Sequence, residues 1–215
     1  MKILDVTSLQ IDAVKLIKFA RFCDHRGYFT EHFRSSDFEK CPDIGYMKGI
    51  RFLQANESLS RPGTIRGLHF QWDPYMGKLV RTLAGRMVDM ALDIRKGSPT
   101  FGKIVCHDMP SNKEGDAAEW IWVPPGFAHG NFFVQETLIE YLCSGEHNRG
   151  CEAGISPIAE DIDWSLCDVG LRRLFEKTAA TTQRMTDKDR NGLTVAAWKS
   201  DPRSDSFVYG NLPAM

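Results

Sequence analysis

The chain has 215 residues, enough for one domain with appendages, and 42% of them are apolar, enough for a sizeable core. Its 27 basic and 28 acidic residues nearly cancel, which argues against a nucleic-acid or membrane-surface protein. No apolar run reaches the roughly 18 residues of a transmembrane helix. The start, Met1-Lys2-Ile3-Leu4-Asp5, lacks the apolar stretch of a signal peptide, so the expected location is the cytoplasm.

In chain order, Ser35–Lys40 reads as a short helix capped by Ser35 or Ser36. Strands follow over Ile50–Ala55, Thr64–Gln71 and Lys78–Leu83. Met87 to Arg95 alternates most clearly. Val88, Met90, Leu92 and Ile94 share one face, and Met87, Asp89, Ala91, Asp93 and Arg95 share the other. That charged face fits either a wet sheet surface or the polar interior of a barrel. The turn Lys96-Gly97-Ser98-Pro99 leads to strands at Lys103–His107, Glu119–Val123, Gly130–Phe133 and Leu138–Ser144. Many short strands separated by turns predict a sandwich or barrel rather than a doubly wound fold. Leu171, Leu174 and Phe175 have helical spacing, so a helical segment is expected near 165–185, covering one sheet. Residues 198–215, polar with Pro and Gly, read as a loose tail. The whole of 1–215 reads as a single domain.

The six cysteines, Cys23, Cys41, Cys106, Cys143, Cys151 and Cys167, contain no C-x-x-C pair. A Cys143–Cys151 disulfide is conceivable; free thiols in a reducing cytosol are the favoured reading.

The histidines are His25, His32, His69, His107, His129 and His147. Metal-binding cupins carry H-x-H on one strand with a Glu soon after, and P-x-G-x-x-H later. Pro124-Pro125-Gly126-Phe127-Ala128-His129 supplies the later half. The first half reads His69-Phe70-Gln71 with Lys78 following, so an amide and a cation stand where ligands are needed. No metal and no cofactor are expected. A pocket of His, Lys, Arg and Tyr suits proton transfer beside a carbonyl. Neutral His can take the proton, Lys or Arg can hold the enolate oxygen, and Tyr can return a proton from the opposite face.

Longer motifs are present in order. Asp24-His25-Arg26-Gly27-Tyr28-Phe29-Thr30-Glu31 fits D-x-R-G-x-F-x-E. Gln54-Ala55-Asn56, Arg66-Gly67-Leu68-His69-Phe70-Gln71 and Lys78-Leu79-Val80 follow. Then come Asp93 to Gly102, Pro125 to Gly130, Tyr141-Leu142-Cys143-Ser144 and Thr186-Asp187-Lys188-Asp189. This series resembles the dTDP-4-dehydrorhamnose 3,5-epimerase family over roughly residues 15 to 190.

The resemblance implies a mainly β, cupin-type (double-stranded β-helix, jelly-roll) barrel with a few short peripheral helices, usually a homodimer. It implies His69 as base paired with Asp189, Tyr141 as proton donor on the other face, and Lys78 as the cation near the keto oxygen. His129 matches a substrate-contacting histidine. Arg26, Phe29, Glu31, Gln54, Asn56, Arg66, Glu152 and Lys188 match positions that hold sugar, pyrophosphate or nucleoside. The implied partner is a nucleotide-linked 4-keto-6-deoxy sugar. Residues 15–33 are expected to form an edge strand that pairs with a second subunit and carries Arg26 and Glu31 to its site. Arg66 is out of alternation with His69, so both reach one pocket only through a bend or bulge.

Two departures stand out. His147 occupies the place of a tyrosine that stacks on the nucleobase, and an imidazole offers less area and changes charge near neutral pH. The connection from Trp164 to Asp189 is longer than usual. Alternatives are inversion at C3 or C5 alone on a nucleotide other than dTDP, a 4-keto to 3-keto isomerase, a non-catalytic sugar-nucleotide-binding cupin and a metal-dependent oxygenase.

Overall fold

The computed structural model describes residues 1–111 and 115–212. Its strands are β1 (Ile3–Ser8), β2 (Lys15–Ala20), β3 (Phe22–Asp24), β4 (Gly27–Phe29), β5 (Gln54–Ser60), β6 (Ile65–Gln71), β7 (Lys78–Ala84), β8 (Arg86–Asp93), β9 (Ile104–Pro110), β10 (Ala117–Val123), β11 (Phe127–Phe133), β12 (Thr137–Cys143) and β13 (Glu152–Gly154). The helices are α1 (Ser35–Lys40), α2 (Val169–Thr181), α3 (Asp187–Arg190) and α4 (Val195–Ser200). One sheet runs β1-β2-β10-β7-β12-β5, a second runs β13-β6-β11-β8-β9, and β3 and β4 form a separate hairpin. All the pairings between strands are antiparallel.

Period-two alternation sorts the side chains into three apolar clusters. Val80, Ile121 and Ile139 from the first sheet meet Met87, Ala91, Val105, Phe127 and Phe133 from the second, so this cluster fills the space between sheets. The second sheet's outer face presents Val88, Met90, Leu92, Phe70 and Phe132 to Phe175 of α2 and Trp198 of α4. The first sheet's outer face packs Ile17, Phe19, Leu79, Trp120 and Trp122 under Phe38, Ile44 and Met47 of α1 and the 3-10 turn after it. The fold is thus mainly β and cupin-type, with both sheets buried on much of their outer faces.

The structure corrects several expectations. Of the two readings left open for the charged face of Met87–Arg95, the interior one holds: Asp89 and Asp93 are fully buried between the sheets. Asp93 is satisfied there by Arg95, Ser98 and Thr100. The strand placed at Ile50–Ala55 begins only at Gln54, because Ile50 and Phe52 turn aside to pack on the outer cluster. The α1 N-cap is Arg34, with no side-chain capping bond from Ser35 or Ser36. Residues 15–33 are not one edge strand. β2 lies between β1 and β10, and residues 22–29 fold back as the hairpin. Cys143 and Cys151 are free thiols, in line with the favoured reading.

The tail from 198 is not loose as far as residue 207. Trp198 and Phe207 are fully buried, and their rings pack edge-on against Phe70 with centroids 4.5 and 5.6 Å away. Trp198 Nε1 donates to the Ile94 carbonyl at 3.0 Å. Two aromatic anchors outweigh the polar composition between them.

Candidate active site

β6 carries the site through a local irregularity. His69 faces His129 across the β6–β11 ladder and Arg66 faces Asn131, so three steps on β6 oppose two on β11. This bulge brings Arg66 and His69, which are out of alternation, onto one cavity. Gly67 sits at the bulge with φ +110°, and a Cβ there would lie 2.6 Å from Gly130 Cα. Only glycine meets both demands.

Asp189 arrives from 120 residues away. Thr186 caps α3, accepting from the Asp189 backbone N–H at 3.2 Å. The chain then returns along β13, with Leu193 N donating to Gly154 O at 2.9 Å. The approach is close: a Cβ on Gly192 would lie 2.7 Å from Ser156 N. Asp189 thereby stands behind His69, its Oδ1 2.6 Å from His69 Nε2. Burial opposes ionisation of Asp189, but hydrogen bonds from His69, Thr186 and the Gly67 backbone hold its carboxyl below the usual carboxylate range. A carboxylate there selects the tautomer with hydrogen on Nε2 and leaves the lone pair on Nδ1.

His69 borders a cavity of about 360 Å³ with Arg66, Lys78, His129, Tyr141 and Lys188. Burial pushes the Lys78 ammonium below its ordinary pKa, against the pull of Cys143, Asp89 and Glu152. Burial also raises the Tyr141 phenol, reinforced by Cys143 and opposed by Arg66. His129 Nε2 lies 2.7 Å from Asp89 Oδ2, forming a second His–Asp pair deeper in the barrel.

A second lobe of about 210 Å³ shares His69, Lys78 and Tyr141 and adds Gln54, Asn56, His147 and Glu152. Its rim is braced. Gln54 Oε1 accepts from His147 N at 2.8 Å, and Gln71 accepts from Asn148 N at 2.7 Å while donating to Glu146 O at 3.0 Å. Glu152 bridges His147 at 3.2 Å and Lys188 at 2.5 Å. Although burial works the other way, these partners keep its carboxyl below the usual range.

Arg26, Phe29 and Glu31 do not join this cavity in their own chain. Arg26 pairs with Asp24 on the exposed hairpin, Phe29 is 69% exposed, and Glu31 binds the Met1 amino group and Arg34. Conversely, Ser58, Asn131 and Cys143 line the two lobes and were not foreseen there, while Asp89 stands beneath them through His129. Counting two residues on from Asn56, His129 and Tyr141 along their strands finds Ser58, Asn131 and Cys143. Among the described residues, no group of three or more His, Cys, Asp or Glu side chains is placed to hold a metal ion.

Two antiparallel sheets of a cupin-type fold enclose a His–Asp pair, a lysine and a tyrosine around one cavity, groups that can exchange protons. A sequence profile described as dTDP-4-dehydrorhamnose 3,5-epimerase matches residues 8–197. The chain belongs to that family, and it is an isomerase of the epimerase kind. It is 46% identical over 151 residues to the dTDP-4-dehydrorhamnose 3,5-epimerase of Sinorhizobium fredii, covering 66% of this chain and 72% of the relative. With the enzyme of that name from Pseudomonas aeruginosa it shares 35% over 196 residues, covering 88% and 95%. A crystal structure of the Legionella pneumophila dTDP-6-deoxy-D-glucose-3,5-epimerase, in complex with dTDP-4-keto-L-rhamnose, superposes with a TM-score of 0.76. Its identity is 30%, over 93% of this chain and 96% of that one.

Proposed function

We propose that this protein inverts C3, C5 or both in a nucleotide diphosphate 4-keto-6-deoxy sugar, as a step of deoxysugar biosynthesis. The observation that carries the reading is the 2.6 Å His69–Asp189 contact on a cavity also lined by Lys78 and Tyr141. The 4-keto group acidifies the neighbouring C–H bonds. His69 removes a proton, and Asp189 stabilises the imidazolium that results. The C–H electron pair moves onto the keto oxygen, where Lys78 holds the enolate. Tyr141 protonates the carbon from the opposite face, and the stereocentre inverts with no net redox change.

Arg66 and Lys188 supply positive charge for a diphosphate, while Gln54, Asn56, His147 and Glu152 shape the lobe for the rest of the nucleotide. Arg26, Phe29 and Glu31 act on a second copy's cavity in a homodimer. Exposed Phe22, Tyr28 and Phe29 on the hairpin support that reading.

Proton NMR in deuterated water with several 4-keto-6-deoxy sugar nucleotides tests the proposal. The H3 or H5 signal of one substrate is expected to vanish as the inverted product forms. Retention of both protons in every substrate overturns it.

A further inference from the structure

Two buried acceptors beside the larger lobe point to a residue that reads the sugar itself. On β11, Phe127 and Phe133 point into the core between the sheets. By alternation His129 and Asn131 point the same way, and both line the larger lobe. Asn131 is 5% exposed, and among the described residues its Oδ1 is buried with no hydrogen-bond partner. Its ladder neighbours are Arg66 on β6 and Asp89 on β8. Arg66 donates through Nε to Ser60 Oγ at 3.0 Å. Asp89 gives Oδ2 to His129, and its Oδ1 is a second buried acceptor without a partner.

Leaving a buried acceptor unmet costs about 1–3 kcal/mol, and native structures keep few of them. The chemistry beside them restricts what can meet them. A phosphate or a ketone offers acceptors alone, and a phosphate beside the Asp89 carboxylate is repelled. A hydroxyl both donates and accepts, which suits a carboxamide whichever way its oxygen and nitrogen are turned.

We propose that Asn131 is a specificity-determining residue that recognises a free ring hydroxyl of the bound sugar, so that the ketone is turned toward Lys78. This rests on the epimerase reading above. A site built to hydrogen-bond a hydroxyl rejects the analogue that lacks it, because its polar groups are then stranded.

The test compares wild type with Asn131→Leu, which keeps the branching at Cγ and removes both polar atoms. Three sugar nucleotides are used: the 4-keto-6-deoxy substrate and its 2-deoxy and 3-deoxy analogues, all of which keep the C5 proton. The readouts are C5 proton exchange in deuterated water and calorimetric Kd, with the nucleoside diphosphate alone as control. For the fully hydroxylated sugar, kcat/KM is expected to fall about 10- to 100-fold. That loss should disappear with one of the deoxy analogues, and diphosphate affinity should not change. An equal loss on all three sugars overturns the proposal, as does wild-type behaviour on the hydroxylated one. Should the leucine variant misfold, Asn131→Ala runs through the same comparison. A wild type that binds the sugar nucleotides without exchanging protons ends the epimerase reading, and the Kd comparison then decides the role of Asn131 by itself.

Discussion

Two side chains facing one cavity from opposite walls predict separable defects. With His69→Asn the carbon acid keeps its proton, so C3 and C5 exchange should fall by three or more orders of magnitude, roughly as when a central acid–base group is lost. Nucleotide affinity should stay near wild type. Tyr141→Phe leaves the base and removes the donor, so exchange should continue while inversion fails. Deuterium incorporation and product stereochemistry, measured on the same samples, tell the two apart. Lys78 has a different signature. Burial holds its folded pKa below the unfolded value. The unfolded chain therefore binds the proton more tightly between those two pKa values, and wild-type stability rises with pH across that window. Lys78→Met removes the term. It should lose turnover and yet be more stable by about 1 kcal/mol at neutral pH, with the advantage shrinking toward about pH 10. Urea melts at several pH values check the sign. The sequence exposed these residues unevenly. Lys78 and Tyr141 lie on strands with visible alternation. Asp189 belongs to a four-residue helix whose partner is 120 positions away, and its pairing with His69 was legible through a motif resemblance and not through any local pattern.

At the scale of elements, period two was readable wherever one face met the core between the sheets. It could not say which face is wet where both faces are covered. β8 buries Met87 to Asp93 completely, and its clear alternation left open whether Asp89 and Asp93 meet solvent or the interior. β3, β4 and β13 are three residues each, too short to show a period. The bulge at Gly67 was legible as a conflict between Arg66 and His69, and the left-handed glycine resolves it. The segment from 198 was misread because composition reports the average residue, while packing is decided by Trp198 and Phe207. Both rings cover Phe70, the neighbour of His69 on the opposite face of β6. Trp198→Ala should therefore cost about 3–5 kcal/mol of stability. Because the strand under the base loses its brace, kcat should fall even at temperatures where the variant is fully folded. Chemical denaturation and steady-state kinetics at low temperature measure the two effects independently.

For the whole molecule, three apolar clusters separated by two sheets explain how 215 residues hold an open, polar-lined cavity without collapsing onto it. The outer clusters keep both walls rigid from behind, and polar side chains then line the mouth between them. The hairpin β3–β4 is the part least supported by this plan, since Phe22, Tyr28 and Phe29 lie outside all three clusters and are exposed. Phe29→Asp should leave the barrel folded, shift sedimentation from dimer to monomer and raise KM for the nucleotide sugar. A wild-type chain that sediments as a monomer at every concentration removes the shared site from the proposal.

The ring stack of Phe70, Trp198 and Phe207 also sets an order of events during synthesis. When Asp189 leaves the ribosome, every member of the proposed acid–base set has been made, yet the rings that close the back of β6 are still inside the exit tunnel. The growing polypeptide then exposes an aromatic surface and stays open to chaperones and proteases until residue 207 has emerged. Turnover should thus appear only once residue 207 has emerged, and nascent chains tethered so that residue 190 but not residue 207 lies outside the tunnel should be inactive and protease-sensitive.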